Sequence, residues 1–261
     1  MLNELYRTFD YLEYLLVSDS RHGTHSPFVY RLLEEVFYVK NTHPAWDAIE
    51  QIRKEMLQSK SKIELLDLGS GNRSGLRKLS DIAHRTARGA KYGRLLHRLI
   101  SRFQPQNCLE LGTGTGITAL YQASAMHHGQ VLHTIEGAPA LCEIAAFNAM
   151  RCGLSDHIKV HQGDFKNILP ILLQELQRVD YAYIDGNHTF EATTHYFEQM
   201  LPYLHTQSIL IFDDIYWNEE MRNAWSFIKN HNSVTVTIDI FAFGLVFFRP
   251  DQAKEHFKIR Y

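Results

Sequence analysis

Three acidic residues follow two apolar, strand-like runs in the second half of the sequence. Asp185 comes directly after residues 179–184, and Asp213 and Asp214 follow residues 208–212. Because ligands of open α/β sheets bind beyond the carboxyl ends of the strands, we expect these carboxylates to converge at one edge. Carboxylates this close repel one another unless a cation or a proton intervenes, and oxygen ligands favour a hard ion such as Mg²⁺. The spacing therefore predicts an acidic site that a divalent cation could neutralise.

A histidine lies three residues after the first of these acids, in the run Asp185-Gly186-Asn187-His188. The reference pKa of histidine, about 6.5, suits a general base that works near neutral pH. Two interpretations stay open for His188. Either it removes a proton during catalysis, with Asp185 as the second catalytic residue, or it forms a hydrogen bond to a loop or to a cofactor.

A glycine-rich turn carries the strongest chemical signal in the chain. The apolar run at 107–111 leads into Gly112-Thr113-Gly114-Thr115-Gly116, and a helical pattern begins at Ile117. Glycines let a backbone approach a ligand closely, and the N–H groups at the start of a helix attract an anion. The spacing G-x-G-x-G differs from the dinucleotide fingerprint G-x-G-x-x-G, so a nicotinamide-dependent oxidoreductase is a distant alternative.

Acidic residues also follow the next two strand-like runs. Glu136 ends the run at 131–135, about twenty residues after the glycine turn, where one carboxylate can accept both hydroxyl protons of a ribose. Gly163, Asp164 and Phe165 follow the run at 158–161. This last motif is weak by itself, since Gly-Asp is also common in turns.

The run E-L-G-T-G-T-G, which begins at Glu110, resembles motif I of the class I S-adenosylmethionine methyltransferases. The resemblance implies that Glu110 lies near the methionine ammonium group and that the glycines border the methionine and the ribose. It further implies that Asp164 accepts a hydrogen bond from the adenine amine, with Phe165 on the ring. The implied cofactor-binding set is Tyr92, Glu110, Gly112, Thr113, Gly114, Gly116, Glu136, Gly163, Asp164, Phe165 and Asp185.

The acidic site is similar to that of one branch of this family, the catechol and caffeoyl-coenzyme A O-methyltransferases. In those enzymes an Asp and an Asp-Asn pair bind the metal, and a lysine stands at the position of His188. The resemblance implies a hydroxyl acceptor and a metal held by Asp185, Asp213 and Asp214. Because Asp214 stands where the asparagine would be, the use of Mg²⁺ is left open.

The elements that must position these residues alternate between strand and helix from about residue 90 onward. This alternation predicts crossover units around a parallel sheet. Residues 233–240 and 242–249 are strand-like with no helix between them, which predicts a closing antiparallel hairpin. We expect a Rossmann-like, seven-stranded, mostly parallel sheet in a domain over 91–261. A mostly helical extension over 1–90 would serve as a lid, as part of an acceptor pocket or as a dimer contact.

Composition limits the function classes. The formal net charge of −2 makes a nucleic acid an improbable partner, and the three cysteines favour a reducing compartment. No apolar run approaches the roughly 20 residues that span a bilayer, and charges interrupt the N-terminal apolar residues. We therefore expect a cytoplasmic protein without a membrane partner.

The functional prediction is methyl transfer from S-adenosylmethionine to a small molecule, at a hydroxyl oxygen. The alternatives are an RNA or protein methyltransferase, which the basic residues between 73 and 94 favour modestly, and a non-catalytic cofactor-binding module. Residues 65–71 imitate motif I, but no second strand and acid follow at the right interval. That imitation predicts a structured loop or a lid.

Overall fold

The computed structural model describes residues 2–20, 25–65 and 75–261. The motif imitation at 65–71 lies, apart from Leu65, outside the described residues. The helices are α1 (Leu2–Val17), α2 (Pro27–Leu32), α3 (Pro44–Gln58), α4 (Leu79–Thr86), α5 (Ala90–Phe103), α6 (Ile117–Ala123), α7 (Pro139–Arg151), α8 (Phe165–Leu176), α9 (Phe190–Met200) and α10 (Glu219–Asn230). The strands are β1 (Lys62–Leu65), β2 (Gly75–Lys78), β3 (Asn107–Leu111), β4 (Val131–Glu136), β5 (Ile158–Gln162), β6 (Tyr181–Ile184), β7 (Ile209–Asp213), β8 (Val236–Asp239), β9 (Phe243–Phe247) and β10 (Glu255–Lys258). Short helical segments lie at Leu33–Phe37, Ser155–His157 and Leu201–Tyr203.

The chain forms two compact units. A central unit spans Tyr38–Glu175, and a terminal unit combines Met1–Phe37 with Leu176–Tyr261. The predicted boundary at residue 90 falls inside the central unit, and the division into an extension and a methyltransferase domain stays a prediction.

The central unit contains three parallel strands in the order β3, β4, β5. Their carboxyl ends share one edge, because Leu111 of β3 pairs with Ile135 of β4, and Glu136 pairs with Gln162 of β5. Helices α3 and α6 pack together through fully buried apolar side chains, and burial of each such side chain contributes about 1.5–3 kcal/mol. The glycine turn therefore leads into a firmly packed helix, α6.

The terminal unit contains five strands in the order β10, β8, β9, β7, β6. Strands β6 and β7 are parallel, so Ile184 and Phe212 pair near a common edge. Strand β9 is antiparallel to both β7 and β8, which is the closing hairpin that the sequence predicted. Helix α10 begins after Asn218, whose side chain accepts a hydrogen bond from the N–H of Met221.

The predicted α/β fold is confirmed, and the structure adds elements that the sequence did not indicate. Beyond the seven predicted strands, β10 pairs in parallel with β8. A separate antiparallel pair is formed by β1 and β2, within the segment 1–90 that was expected to be mostly helical. The helix that was expected to begin at Ile117 ends at Ala123, because the N–H groups of Ala125 and Met126 bond to carbonyls three residues back. Among the described residues, no helix has the length and hydrophobicity of a membrane span.

Candidate active site

The glycine turn of the central unit connects β3 to α6 through backbone conformations that favour glycine. Gly114 has φ of 53° and Gly116 has φ of 82°. A Cβ atom at Gly114 would lie 2.9 Å from Cβ of Thr86, and one at Gly116 would lie 3.0 Å from Cα of Ala145. Both positions thus exclude a side chain through conformation and through packing.

The carboxylate of Glu136, at the end of β4, is bonded to this turn. Its Oε2 accepts a hydrogen bond from the N–H of Gly114 at 2.8 Å, and its Oε1 accepts one from the N–H of Ala138 at 2.9 Å. An ionised carboxylate has about four acceptor positions, so these bonds orient the group and are compatible with hydroxyl ligands. Glu136, which is predicted to bind ribose, and the glycine turn are therefore joined by a direct hydrogen bond.

Glu110 lies beneath the turn and is completely buried. Its Oε1 accepts a hydrogen bond from Nε2 of Gln122, and its Oε2 accepts one from Oγ1 of Thr134, both at 2.6 Å. The hydroxyl of Thr134 is also 2.6 Å from that of Thr113. A buried carboxylate is tolerated only when it is hydrogen-bonded, and here the bonds fix the shape of the turn. Contact between Glu110 and a cofactor stays a prediction.

The third motif lies at the carboxyl end of β5. The N–H of Gly163 donates to the carbonyl of Glu136 at 2.9 Å, which joins this motif to the second one. Asp164 precedes α8, and its Oδ1 accepts a hydrogen bond from the N–H of Lys166 at 2.9 Å. Asp164 and Phe165 are both partly exposed. The structure thus brings the acids after β4 and β5 to one edge of the central unit.

Tyr92, the remaining predicted contact of the central unit, lies in the first turn of α5. It lines a cavity of about 380 Å³ whose wall also includes Arg85, Arg88 and Lys91. Burial lowers the pKa of the Lys91 ammonium, whose nitrogen lies 5.5 Å from the centroid of the Tyr92 ring.

In the terminal unit, Asp213 is completely buried at the end of β7. The hydroxyl of Tyr183 donates to its Oδ2, and the N–H of Asp214 donates to its Oδ1 at 2.7 Å. Both carboxylate oxygens of Asp213 therefore already accept hydrogen bonds from the protein.

Asp185 and His188 are in contact after β6, with 3.4 Å between Oδ1 and Nε2, and form an ion pair when the histidine is protonated. Burial alone would lower the pKa of His188, but the hydrogen bond to Asp185 and the charges of Asp185, Asp214 and Asp213 together raise it above its ordinary value. The loop is strained, since His188 has φ of 38°. Its backbone is held by a bond from Nδ2 of Asn218 to the carbonyl of His188 at 3.0 Å.

Asp214 has a partner that the sequence analysis did not identify. Nη2 of Arg7, on α1, lies 3.5 Å from Oδ1 of Asp214. The guanidinium of Arg7 also lies 5.3 Å from the ring centroid of the exposed Trp217, whose ring centroid is 6.1 Å from that of His188. The sequence contained only an indirect signal for this arginine, because three acids close together require positive charge nearby.

The predicted Mg²⁺ ligands do not assemble into a metal site. In the part of the chain that the structure describes, no three His, Cys, Asp or Glu side chains are placed to hold a metal ion. Asp213 is bonded to Tyr183 and to backbone, Asp185 pairs with His188, and Asp214 pairs with Arg7. With these partners the donor set does not fit a divalent cation, and a metal held by Asp185, Asp213 and Asp214 stays a prediction.

Comparisons with known proteins agree with this architecture. A family model described as a methyltransferase domain matches residues 109–215. A catechol O-methyltransferase of Niastella koreensis is 29% identical over 124 residues, which cover 47% of this chain and 55% of that protein. A ribosomal protein L11 methyltransferase of Bradyrhizobium diazoefficiens is 31% identical over 111 residues, which cover 41% of this chain and 32% of that protein. The chain thus spans about half or less of the length of these curated relatives.

A solved structure extends the likeness over most of the fold. The O-methyltransferase TomG of Streptomyces achromogenes, involved in tomaymycin synthesis and determined in complex with S-adenosylmethionine, superposes with a TM-score of 0.58. The two chains are 20% identical, and the match covers 85% of this chain and 95% of that one. Together these findings confirm the resemblance to class I methyltransferases that the motifs indicated.

Proposed function

We propose that the protein transfers a methyl group from S-adenosylmethionine to a hydroxyl oxygen of a small molecule. The observation that best supports this proposal is the pair of hydrogen bonds that holds the Glu136 carboxylate against the glycine turn. A carboxylate at the end of the strand after a glycine-rich turn is the arrangement that binds ribose hydroxyls. The likeness to methyltransferases in sequence and in fold supports the same assignment.

The central unit would hold the cofactor. Glu136 would bind the ribose, the N–H groups of the glycine turn would face the methionine carboxylate, and Asp164 with Phe165 would bind the adenine. Tyr92 would close the site from the start of α5, where it lines the cavity. When bound, S-adenosylmethionine supplies a methyl group that its sulfonium already activates. The protein therefore needs only to align the acceptor and to remove a proton.

The terminal unit would hold the acceptor. His188 would remove the hydroxyl proton as general base, and Asp185 would orient its ring through the contact of 3.4 Å. The exposed ring of Trp217, 6.1 Å from His188 between centroids, offers an apolar face to an aromatic acceptor. Because the donor set does not fit a metal, no step of this mechanism uses one.

A second copy of the chain is the proposed partner of α1. Phe9, Leu12 and Leu16 are 63%, 52% and 87% exposed, although they share one helical face. With Leu2 and Leu5 they continue the alternating three- and four-residue spacing of a coiled-coil seam. A seam with this spacing is complementary to itself, so a homodimer would cover it. All three cysteines are free thiols, which supports the proposed cytoplasmic location.

The test combines binding and turnover. Calorimetric titration with S-adenosylhomocysteine should give saturable binding. Radiolabelled S-adenosylmethionine is then offered with a panel of phenols and catechols, with bulk tRNA and with a protein extract. Label in the phenols supports the proposal, whereas label only in RNA or protein favours the alternative acceptors. Binding without any transfer favours a non-catalytic module, and the absence of binding contradicts all three.

A further inference from the structure

The charge balance of the acidic site rests on a residue of the N-terminal helix. Three carboxylates, those of Asp185, Asp213 and Asp214, lie at the carboxyl ends of β6 and β7. Such a group requires positive charge nearby. In the structure the permanent charge comes from Arg7, 3.5 Å from Asp214, and His188, 3.4 Å from Asp185, adds positive charge only when it is protonated.

Helix α1 is anchored in a way that fixes Arg7 at this position. Arg7, Asp10 and Tyr14 are spaced three and four residues apart and therefore share one face of the helix. Asp10 pairs with Arg222 of α10 at 2.7 Å, and the hydroxyl of Tyr14 donates to the carbonyl of Ile259. The ring of Tyr14 is also buried, with its centroid 5.5 Å from that of Phe241, so polar bonds and this aromatic contact together set the register of the helix.

The position of Arg7 conflicts with a metal ion at Asp214. Mg²⁺ binds carboxylate oxygen at about 2.0–2.1 Å, so an ion on Oδ1 of Asp214 would lie at most about 6 Å from Nη2 of Arg7. Two cations at that separation repel each other, and the neighbouring Asp213 has both oxygens bonded to the protein. The ion would have to displace the arginine.

We infer that Arg7 is the resident counter-ion of the acidic site, in the place that a divalent cation would take, and that α1 thereby completes the site. This gives a role to the N-terminal helix. It also makes Arg7 a positioning residue, because it acts through Asp214. The inference rests on the ion pairs of the terminal unit and does not depend on the proposed methyl transfer.

Binding of Mn²⁺, followed by electron paramagnetic resonance on the full chain, tests the inference without any acceptor. The parent protein should leave Mn²⁺ free. Arg7→Met, which keeps the aliphatic length and removes the charge, should bind Mn²⁺ at least about tenfold more tightly. The double variant Arg7→Met with Asp214→Asn should lose the gained binding, and Arg7→Lys should behave as the parent.

The matched control is Asp10→Asn, which removes the other ion pair of α1 and leaves Arg7 beside Asp214. This variant should leave Mn²⁺ free, and circular dichroism should give the same helix content for all variants. If the parent binds Mn²⁺ through Asp214, the inference is wrong. It is equally wrong if Arg7→Met gains nothing, or if Asp10→Asn gains as much as Arg7→Met, because Arg7 would then only dock the helix.

Discussion

Oε2 of Glu136 and the backbone nitrogen of Gly114 are 2.8 Å apart, so the acid after β4 is bonded to the turn after β3. Two residues that the sequence selected for separate reasons are therefore one structural element. A change at either residue should disturb the other.

Replacement of Glu136 should weaken cofactor binding. Glu136→Ala removes the acceptor of the Gly114 and Ala138 N–H groups together with the proposed ribose ligand. Loss of such charged hydrogen bonds costs about 1.5–3 kcal/mol, which is roughly a tenfold to hundredfold loss of affinity for S-adenosylhomocysteine in calorimetric titration. Glu143→Gln, an exposed change in the same unit, is the control. Equal affinity in Glu136→Ala and the parent would remove the basis of the ribose assignment.

Two glycines with similar φ separate backbone strain from steric exclusion. Gly116 and Gly129 have φ of 82° and 88°, but only Gly116 has a neighbour, Ala145, where a Cβ would lie. Gly129→Ala should cost about 1–2 kcal/mol of unfolding free energy through conformation alone. Gly116→Ala should cost about 1 kcal/mol more and should also weaken S-adenosylhomocysteine binding. Urea denaturation and titration of both variants measure this, and equal losses in the two would contradict the packing argument.

His188→Gln should reduce turnover far more than cofactor binding. A positioned general base contributes roughly a hundredfold to ten-thousandfold, so kcat should fall by that factor while the Kd of S-adenosylhomocysteine stays unchanged. The control is His195→Gln, an exposed histidine of the same unit. A variant with parental kcat would favour the other interpretation, in which His188 only forms a hydrogen bond.

The stability of the protein should fall in mild acid because of a buried histidine in the central unit. Burial lowers the pKa of His97 to about 4, and the nearby His43 adds to the effect. In the unfolded chain this group takes its proton near pH 6.5, so the unfolded state binds more protons between about pH 6.5 and pH 4. Folding free energy is therefore lost as the pH falls through that range, by up to about 3 kcal/mol. Urea denaturation as a function of pH measures the slope.

His97→Asn supplies the comparison for this slope. The variant should be less stable at pH 7.5, because the contact of 2.8 Å between Nδ1 of His97 and the Ser124 hydroxyl is changed. It should nevertheless lose less stability on acidification. Burial beside His133 also lowers the pKa of His161 to about 4. His161 therefore maintains part of the pH dependence of stability in the variant. An unchanged slope would mean that His97 is not the titrating group.

The exposed apolar face of α1 predicts a homodimer. Leu12→Glu would place a charge in the middle of this face and should convert a dimer into a monomer in light scattering after gel filtration. Glu13→Gln, at the next position on an exposed part of the same helix, should leave the mass unchanged. A parent chain that is monomeric at high concentration would contradict the proposal.

Local pattern predicted much of the fold, because the relevant signals lie within single elements. Strand β3 has the predicted bounds, and the turn after it has the positive φ values that its glycines indicated. Strand β10 gave no such signal, since it lies at a sheet edge and Glu255 and His256 are exposed. No periodic apolar pattern marks a strand of that kind.

The candidate site divides in the same way. The acids after the strands could be predicted, because strand ends of an α/β sheet converge. The residues that pair with these acids could not be predicted. Arg7 reaches Asp214 and Tyr183 reaches Asp213 through tertiary packing, and nothing in the local sequence of either partner indicates the pairing. The sequence therefore indicated the acids without the groups that neutralise them, and for this reason it left the use of a metal open.

The buried bonds of Glu110 have a consequence for the kinetics of recognition. Gln122 and Thr134 hold the two carboxylate oxygens of Glu110. The glycine turn is therefore shaped by the protein interior and does not depend on a bound ligand. A binding site that is already rigid loses little conformational entropy when a ligand binds. Association should accordingly follow a single exponential whose rate rises linearly with nucleoside concentration, without the plateau that a slow rearrangement would impose.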